Sequence, residues 1–210
     1  RLQDKIGAGI RDLELPMFGR HNIENALAAI LVAAEIGITP DQIRTGLAGF
    51  SGVKRRFTQT GVVNNVTVID DYGHHPVEIG AVLQAARQAV EAEGGRILAV
   101  MQPHRYSRLH DLFESFCTCF QEADSVIVAD VYPAGEDPIE GANRSCLTQG
   151  IRNHGHRDVH EISGPEELPG CIHALARPGD YVVCFGAGSI TKWAQALPGQ
   201  LEQLYAENAA

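Results

Sequence analysis

Only three of the 210 residues are lysine, Lys5, Lys54 and Lys192, and none of them completes a G-x-x-x-x-G-K-[ST] phosphate loop. These residues therefore hold no self-contained triphosphate cradle of that kind. Long apolar runs are missing as well. Nothing approaches the roughly 18 residues of a membrane span, and no basic-then-apolar leader opens the sequence. The five cysteines, at 117, 119, 146, 171 and 184, are odd in number and form no C-x-x-C pair. They read as reduced thiols of a cytoplasmic protein, packed as small hydrophobes, and not as a disulfide framework or a zinc site. Positive charge is in deficit too: the formal net charge is −9, which argues against a general nucleic-acid binder.

What is present is an ordinary globular composition, 44% hydrophobic and 20% charged, long enough for one sizeable domain or a domain plus a piece of another. Against the acidic background two basic spots stand out, "KRRF" (Lys54, Arg55, Arg56) and "PHRYSR" (Arg105, Arg108). An acidic protein that gathers cations in one place meets an anion there; the plain alternative is a solvated basic turn.

Two regimes follow along the chain. Residues 22–36, "NIENALAAILVAAEI", are apolar nearly all round and predict a largely buried helix, closed by Gly37 and Pro40. A second short helix fits "PDQIRTGLAGF", and "SGVKRR" (51–56) reads as a connector. From residue 57 the pattern is strand, loop, helix, repeated. Strands are predicted at 66–70, 96–101, 125–130 and 181–185, with a weaker one at 158–162; helices fall at 76–92, 109–122, 143–153, 165–176 and 189–206. This alternation means an α/β fold of βαβ units, Rossmann-like, with a mainly parallel open sheet and helices on both faces. The loops "DYGHHP", "QPHRYSR", "DVYPAGEDPIEG" and "GAGSITK" then open on one side, outside the carboxyl ends of the strands, where such sheets bind ligands.

Each loop has a chemical reading and a plain one. His75-Pro76 should start a helix with proline at its favoured first position, so that free N–H groups favour an anion beside His74. The alternatives are a capping loop with solvated imidazoles, or a metal site drawing on Asp70, Asp71, His74 and His75, which no third element with ligand spacing supports. Arg105 and Arg108, three apart, can clamp a carboxylate or phosphate bidentately, or pair with nearby acids. "GAGS" resembles a phosphate-cradling turn, yet a lone G-x-G is more often structural. The acids of "VYPAGEDPIEG" shape a turn more readily than they hold a metal.

The stretches "GRHNIENALAA", "FSGVKRRF", "DDYGHHPVEI", "QPHRYSR", "DVYPAGEDPI" and "GAGSITKW" occur in the order seen in the Mur ligases of bacterial cell-wall synthesis, and the chain resembles that family over essentially its whole length. The histidine pair with "QPHRYSR" is the specific part, and it points to the member that joins L-alanine to UDP-N-acetylmuramate. The resemblance implies a three-domain enzyme with an amino-terminal UDP-sugar domain, a central ATP domain and a carboxyl-terminal Rossmann-like domain. Residues 1–53 look like the end of the central domain and residues 54–210 like the whole of the last one.

By the same resemblance the reaction is ATP-dependent amide-bond formation through an acyl phosphate, in peptidoglycan synthesis. Its substrates are ATP, UDP-N-acetylmuramate and L-alanine. Mg2+ is implied as a cofactor, with its ligands in the missing amino-terminal part, and these residues alone should not turn over. Tyr72, His74, Arg105 and Arg108 carry over to the amino-acid side, with His74 and the two arginines as catalytic residues. Asn22 and Asn25, with His21 beside them, carry over to the adenine end of ATP; Arg56 and Asp71 carry over to its phosphates and ribose. Two other readings stay open. One is a related ligase that recycles whole peptides onto the same nucleotide sugar. The other is a nucleotide-binding oxidoreductase, weakened because "GAGSI" opens the last helix, whereas a dinucleotide fingerprint belongs to a first βαβ unit.

Overall fold

The computed structural model describes residues 10–17, 20–50, 52–91 and 94–208, with Arg20, His21 and Glu91 placed by backbone alone. The chain divides into two compact units, Arg1–Val53 and Lys54–Ala210.

The first unit holds two helices, α1 (Arg20–Glu35) and α2 (Pro40–Ala48). A capping box starts α2: the Thr39 hydroxyl accepts from the Gln42 N–H while the Gln42 side chain accepts from the Thr39 N–H, and Pro40 follows at a position that needs no donor. The expectation of a largely buried α1 does not hold here. Ile23, Leu27 and Val32 are 62%, 55% and 62% exposed. The helix is apolar nearly all round, and the described helix that packs against it in this unit is the short α2. Shelter is confined to Asn22 and to the half-buried Ala26, Ile30, Leu31, Ala33 and Ala34.

The second unit is a six-stranded sheet, β1 (Thr58–Val63), β2 (Val66–Asp71), β3 (Ile97–Met101), β4 (Ser125–Ala129), β5 (Val159–Ile162) and β6 (Tyr181–Phe185), in the order β1-β2-β6-β3-β4-β5. All neighbours run parallel except the β1–β2 hairpin. The helices are α3 (Pro76–Glu91), α4 (Tyr106–Asp111), α5 (Phe113–Thr118), α6 (Arg144–Asn153), α7 (Leu168–Leu175) and α8 (Ile190–Asn208). Strand β3 shows why the sheet needs helices on both faces. All five of its residues are buried; Ile97, Ala99 and Met101 face one core with Leu83, Phe116 and Leu147 from α3, α5 and α6, while Leu98 and Val100 face the other with Leu168, Ile172 and Leu197 from α7 and α8. No described helix is long and apolar enough to cross a membrane.

Two elements differ from expectation. Strand β1, "TQTGVV", opens on three polar residues and carries Gly61, so its pattern reads as loop; it forms because an antiparallel edge needs only one packed face. Gly61 is there because a β-carbon would come within 2.8 Å of Pro198 in α8. The single helix expected over 109–122 is two short ones, broken at Leu112 (φ −114°, ψ 21°), and the first starts at Tyr106. What matters for function is the strand order. It sets the ends of β2, β6, β3 and β4 side by side, so all four polar loops share one edge of the sheet.

Candidate active site

Two buried acids end β2. Asp71 accepts from the Phe57 N–H at 2.8 Å through Oδ2 and from the Gly73 N–H at 2.7 Å through Oδ1. It thereby ties the "KRRF" turn to the histidine loop. Burial pushes its carboxyl above the usual carboxylate range, opposed by those two N–H groups and by Arg56, with Asp70 adding to the rise. Asp70 takes the Thr191 hydroxyl at 3.0 Å from either oxygen and lies 3.9 Å from Arg55 Nε. Burial raises it too, against the Thr191 bond and the Arg55 charge.

Arg55 is the hub of this corner. Its Nη2 donates to the Gly186 carbonyl at 2.6 Å, and its guanidinium carbon lies 4.5 Å from the centre of the Tyr72 ring. The Tyr72 N–H returns to the Arg55 carbonyl at 2.8 Å, and Arg56 approaches the same ring at 6.0 Å. Arg55 and Phe57 both sit at positive φ, 61° and 51°. Behind them a cavity of about 380 Å³ is lined by Lys54, Arg55, Thr58, Thr60, Asp70 and Thr191.

The histidine loop is closed by its own helix. Glu78, in the first turn of α3, accepts the N–H groups of His74 and His75 at 3.2 and 3.3 Å. The anion expected at that helix start is thus supplied by the chain itself. His74 Nδ1 lies 2.9 Å from the Tyr72 carbonyl and 3.7 Å from Glu78 Oε2, and its ring meets Tyr72 edge-on at 5.1 Å between centroids.

From β3 comes His104, 6.1 Å from His74 between ring centroids and stacked on Tyr132 at 5.4 Å with planes 10° apart. The backbones are laced together, Tyr132 N–H to the Pro103 carbonyl and Arg105 N–H to the Tyr132 carbonyl. Arg108 turns back onto His104, its Nη1 2.9 Å from the carbonyl and 3.3 Å from Nδ1. Arg105, at φ 74°, is half exposed and 3.6 Å from Glu136. Glu136 is itself held by the Ser107 N–H and hydroxyl, which lower its carboxyl. The two guanidiniums therefore have separate partners, one acidic and one a carbonyl, and each keeps donors to spare. The glycine turn packs in from β6: a β-carbon on Gly188 would come within 2.6 Å of the Tyr132 ring. Its glycines serve close packing.

The second unit thus gathers Tyr72, His74, Arg105 and Arg108, with Arg56 beside Tyr72 and Asp71 beneath. Asn22, buried, and Asn25, exposed, lie on α1 of the first unit, while the side chain of His21 falls outside the described residues. Sequence reasoning missed His104, Tyr132, Glu78 and Glu136, and passed over Arg55 in favour of Arg56. An acid in the first turn of a predicted helix was the legible signal for Glu78. Among the described residues no group of three His, Cys, Asp or Glu comes together as metal ligands would.

The sequence pattern of the family described as "Mur ligase, glutamate ligase domain" matches residues 55–188. The UDP-N-acetylmuramate–L-alanine ligase of Rhodospirillum centenum is 61% identical over 196 residues, covering 93% of this chain and 40% of that protein. The ligase of the same name from Rhodospirillum rubrum is 60% identical over 204 residues, covering 96% and 42%. The crystal structure of the Thermotoga maritima UDP-N-acetylmuramate-alanine ligase superposes with a TM-score of 0.74 at 27% identity, over 93% of this chain and 40% of that one. The chain spans about two-fifths of the length of these relatives.

Proposed function

Because the chain belongs to the Mur ligase family, as a glutamate ligase domain with a short helical unit before it, we propose that it forms part of an ATP-dependent ligase that joins L-alanine to UDP-N-acetylmuramate in peptidoglycan synthesis. The single observation that carries this reading is the convergence of Tyr72, His74, His104, Arg105 and Arg108 on one sheet edge, in a chain about 60% identical to ligases of that name.

The chemistry suits the residues. ATP converts the sugar carboxylate to an acyl phosphate, the amine of alanine attacks the carbonyl carbon, and phosphate departs. Charge builds first on the transferring phosphoryl group and then on a tetrahedral adduct, so catalysis is chiefly positioning and cationic stabilisation. Arg105, half exposed and only loosely held by Glu136, offers its fork to the amino-acid carboxylate. Arg108 and His104 face the developing charge, and Tyr72, backed by Arg55, forms a wall for the small side chain. Arg56 and Asp71 reach toward the nucleotide phosphates and ribose, Asp71 by exchanging one of its two backbone donors. For the adenine end the family resemblance offers Asn22 and Asn25, on α1 of the first unit. Magnesium accompanies ATP in such a reaction; the described residues offer no ligand set for it, and no step here runs through it.

The test is the full-length protein incubated with ATP, magnesium, UDP-N-acetylmuramate and either L-alanine or the L-alanyl-γ-D-glutamyl-diaminopimelate tripeptide. Alanine-dependent release of ADP and phosphate, with the alanyl sugar nucleotide as product, is expected. Preference for the tripeptide would instead make the chain part of a peptide-recycling ligase.

A further inference from the structure

The partners of two neighbouring imidazoles fix opposite tautomers. A carbonyl oxygen can only accept, so the Tyr72 oxygen 2.9 Å from His74 Nδ1 places the proton on that nitrogen. A guanidinium can only donate, so Arg108 Nη1, 3.3 Å from His104 Nδ1, leaves that nitrogen bare and puts the proton of the neutral ring on Nε2. Neutral His74 therefore presents a lone pair at Nε2, and neutral His104 presents an N–H. Neither Nε2 has a partner among the described residues, and the ring centroids are 6.1 Å apart. Behind His74 stands Glu78, 3.7 Å from Nδ1, whose carboxylate also accepts the backbone N–H groups of His74 and His75. An imidazole with one nitrogen held by an acceptor, a carboxylate behind it and the other nitrogen open is the arrangement of an oriented base.

We propose that His74 is the general base of the amide-forming step, taking the proton of the incoming amine at Nε2, with Glu78 as the positioning residue that holds its loop and steadies the resulting imidazolium. This rests on the ligase reading above. In the step, the amine nitrogen bonds to the acyl carbon and the carbon–oxygen bond to phosphate breaks with its electron pair leaving on phosphate. The N–H proton passes to His74 Nε2 and from there to solvent. His104 stays neutral meanwhile, because burial lowers its proton affinity and the charges of Arg108, His74 and Arg105 lower it further against Glu136. Its Nε2–H remains available to the oxygen on which negative charge collects.

The experiment uses the full-length enzyme and its His74→Gln and Glu78→Gln variants, with L-alanine or hydroxylamine as the acceptor. Hydroxylamine carries a free lone pair at neutral pH, and the weakly basic nitrogen of its adduct loses its proton to water, so it depends far less on an enzymic base. The groups that bear on the His74 proton are Tyr72 and His75 on its own loop, Glu78 on α3, and His104 with Arg105 and Arg108 from the loop after β3. His74→Gln should lower kcat with alanine roughly a hundredfold or more, remove the acidic limb of the kcat–pH profile, and cost much less with hydroxylamine. Glu78→Gln should lower kcat with alanine more than with hydroxylamine, whereas a residue that only packed the loop would slow both acceptors alike. Full alanine turnover in His74→Gln, or equal losses with both acceptors, overturns the assignment. A wild-type enzyme that traps hydroxylamine but ignores L-alanine would sink the alanine reading instead, and the same comparison would then be run with the amine it accepts.

Discussion

Replacing Asp71 by alanine separates its structural duty from any contact with nucleotide. The carboxylate is buried and satisfies two backbone donors, Phe57 N–H at 2.8 Å and Gly73 N–H at 2.7 Å. Phe57 holds φ 51°, a conformation a side-chain-bearing residue adopts only when its surroundings insist. Alanine leaves both donors unmet, at about 1–3 kcal/mol each. Part of that is returned because a desolvated charge is removed along with the bonds. A net cost of about 3 kcal/mol follows, which for a domain of this size is a fall of roughly 6–12 °C in Tm at 2–4 °C per kcal/mol. The Asp71→Asn substitution keeps one acceptor and turns an amide N–H toward the second donor, so its loss should fall between wild type and alanine.

The assay is thermal unfolding of the 210-residue chain followed by circular dichroism, in buffer without nucleotide. The expected order of Tm is wild type, then Asp71→Asn, then Asp71→Ala. A Tm for Asp71→Ala within about 2 °C of wild type, less than 1 kcal/mol on the same scale, would refute the claim that this carboxylate holds the "KRRF" turn. Its importance would then have to lie in ligand contact alone.

Two further outcomes follow from the same corner of the molecule. Burial raises the folded-state pKa of Asp70 above its ordinary value of 3.8, so its contribution to stability is greatest when it is protonated and falls as pH rises from about that value through the folded pKa. Asp70→Asn lacks this titration; the stability of the variant minus that of wild type, from urea unfolding at a series of pH values, should therefore grow from about pH 4 upward, and a flat or falling difference would contradict the burial. Gly188→Ala would bring a β-carbon within 2.6–2.8 Å of the Tyr132 ring and Gln102 Oε1; a cost of about 1–3 kcal/mol in the same unfolding assay is expected from the forced shift, and an unchanged midpoint would show that the Tyr132 loop yields freely.

Most of the sheet was legible because its strands are buried on both faces and read as unbroken apolar runs; "ILAVM" and "SVIVA" have no other comfortable home. Strand β1 was not, since an edge strand with one packed face and a glycine bulge gives no such run. The buried α1 was misread because apolarity all round states only that a helix wants cover on every side, while the cover itself is a property of the neighbours. The same limit governs the site. Titratable residues within one loop, such as Tyr72 and His74, announce themselves by crowding. His104 and Tyr132 become partners only through the β3–β4 crossover, across 28 positions of sequence, and nothing local marks either. Arg55 and Arg56 are indistinguishable as letters. Only the left-handed turn at Arg55 decides which of them stacks closest on Tyr72 and which points to solvent.

That turn also shows how the backbone strain of the site is sustained. Seven described residues other than glycine have positive φ. Asn64 and Asn65 form the tight β1–β2 hairpin turn, which asks for that geometry and suits asparagine. Arg55, Phe57 and Arg105 are different, since none of these side chains favours the left-handed region, at a cost of order 1–3 kcal/mol each. Each is offset by a specific bond at the same place. The Phe57 N–H goes to Asp71, the Arg55 carbonyl takes the Tyr72 N–H, and the Arg105 N–H goes to the Tyr132 carbonyl. The strain is what aims the Arg55 guanidinium under Tyr72 and leaves the Arg105 fork half exposed at the sheet edge. The acids and backbone groups that hold these residues thus set the geometry of the corner, whatever else they touch. A glycine at position 55 or 105 would relax the backbone and discard the guanidinium in the same stroke, which is why the left-handed conformation and the cation have to be kept together.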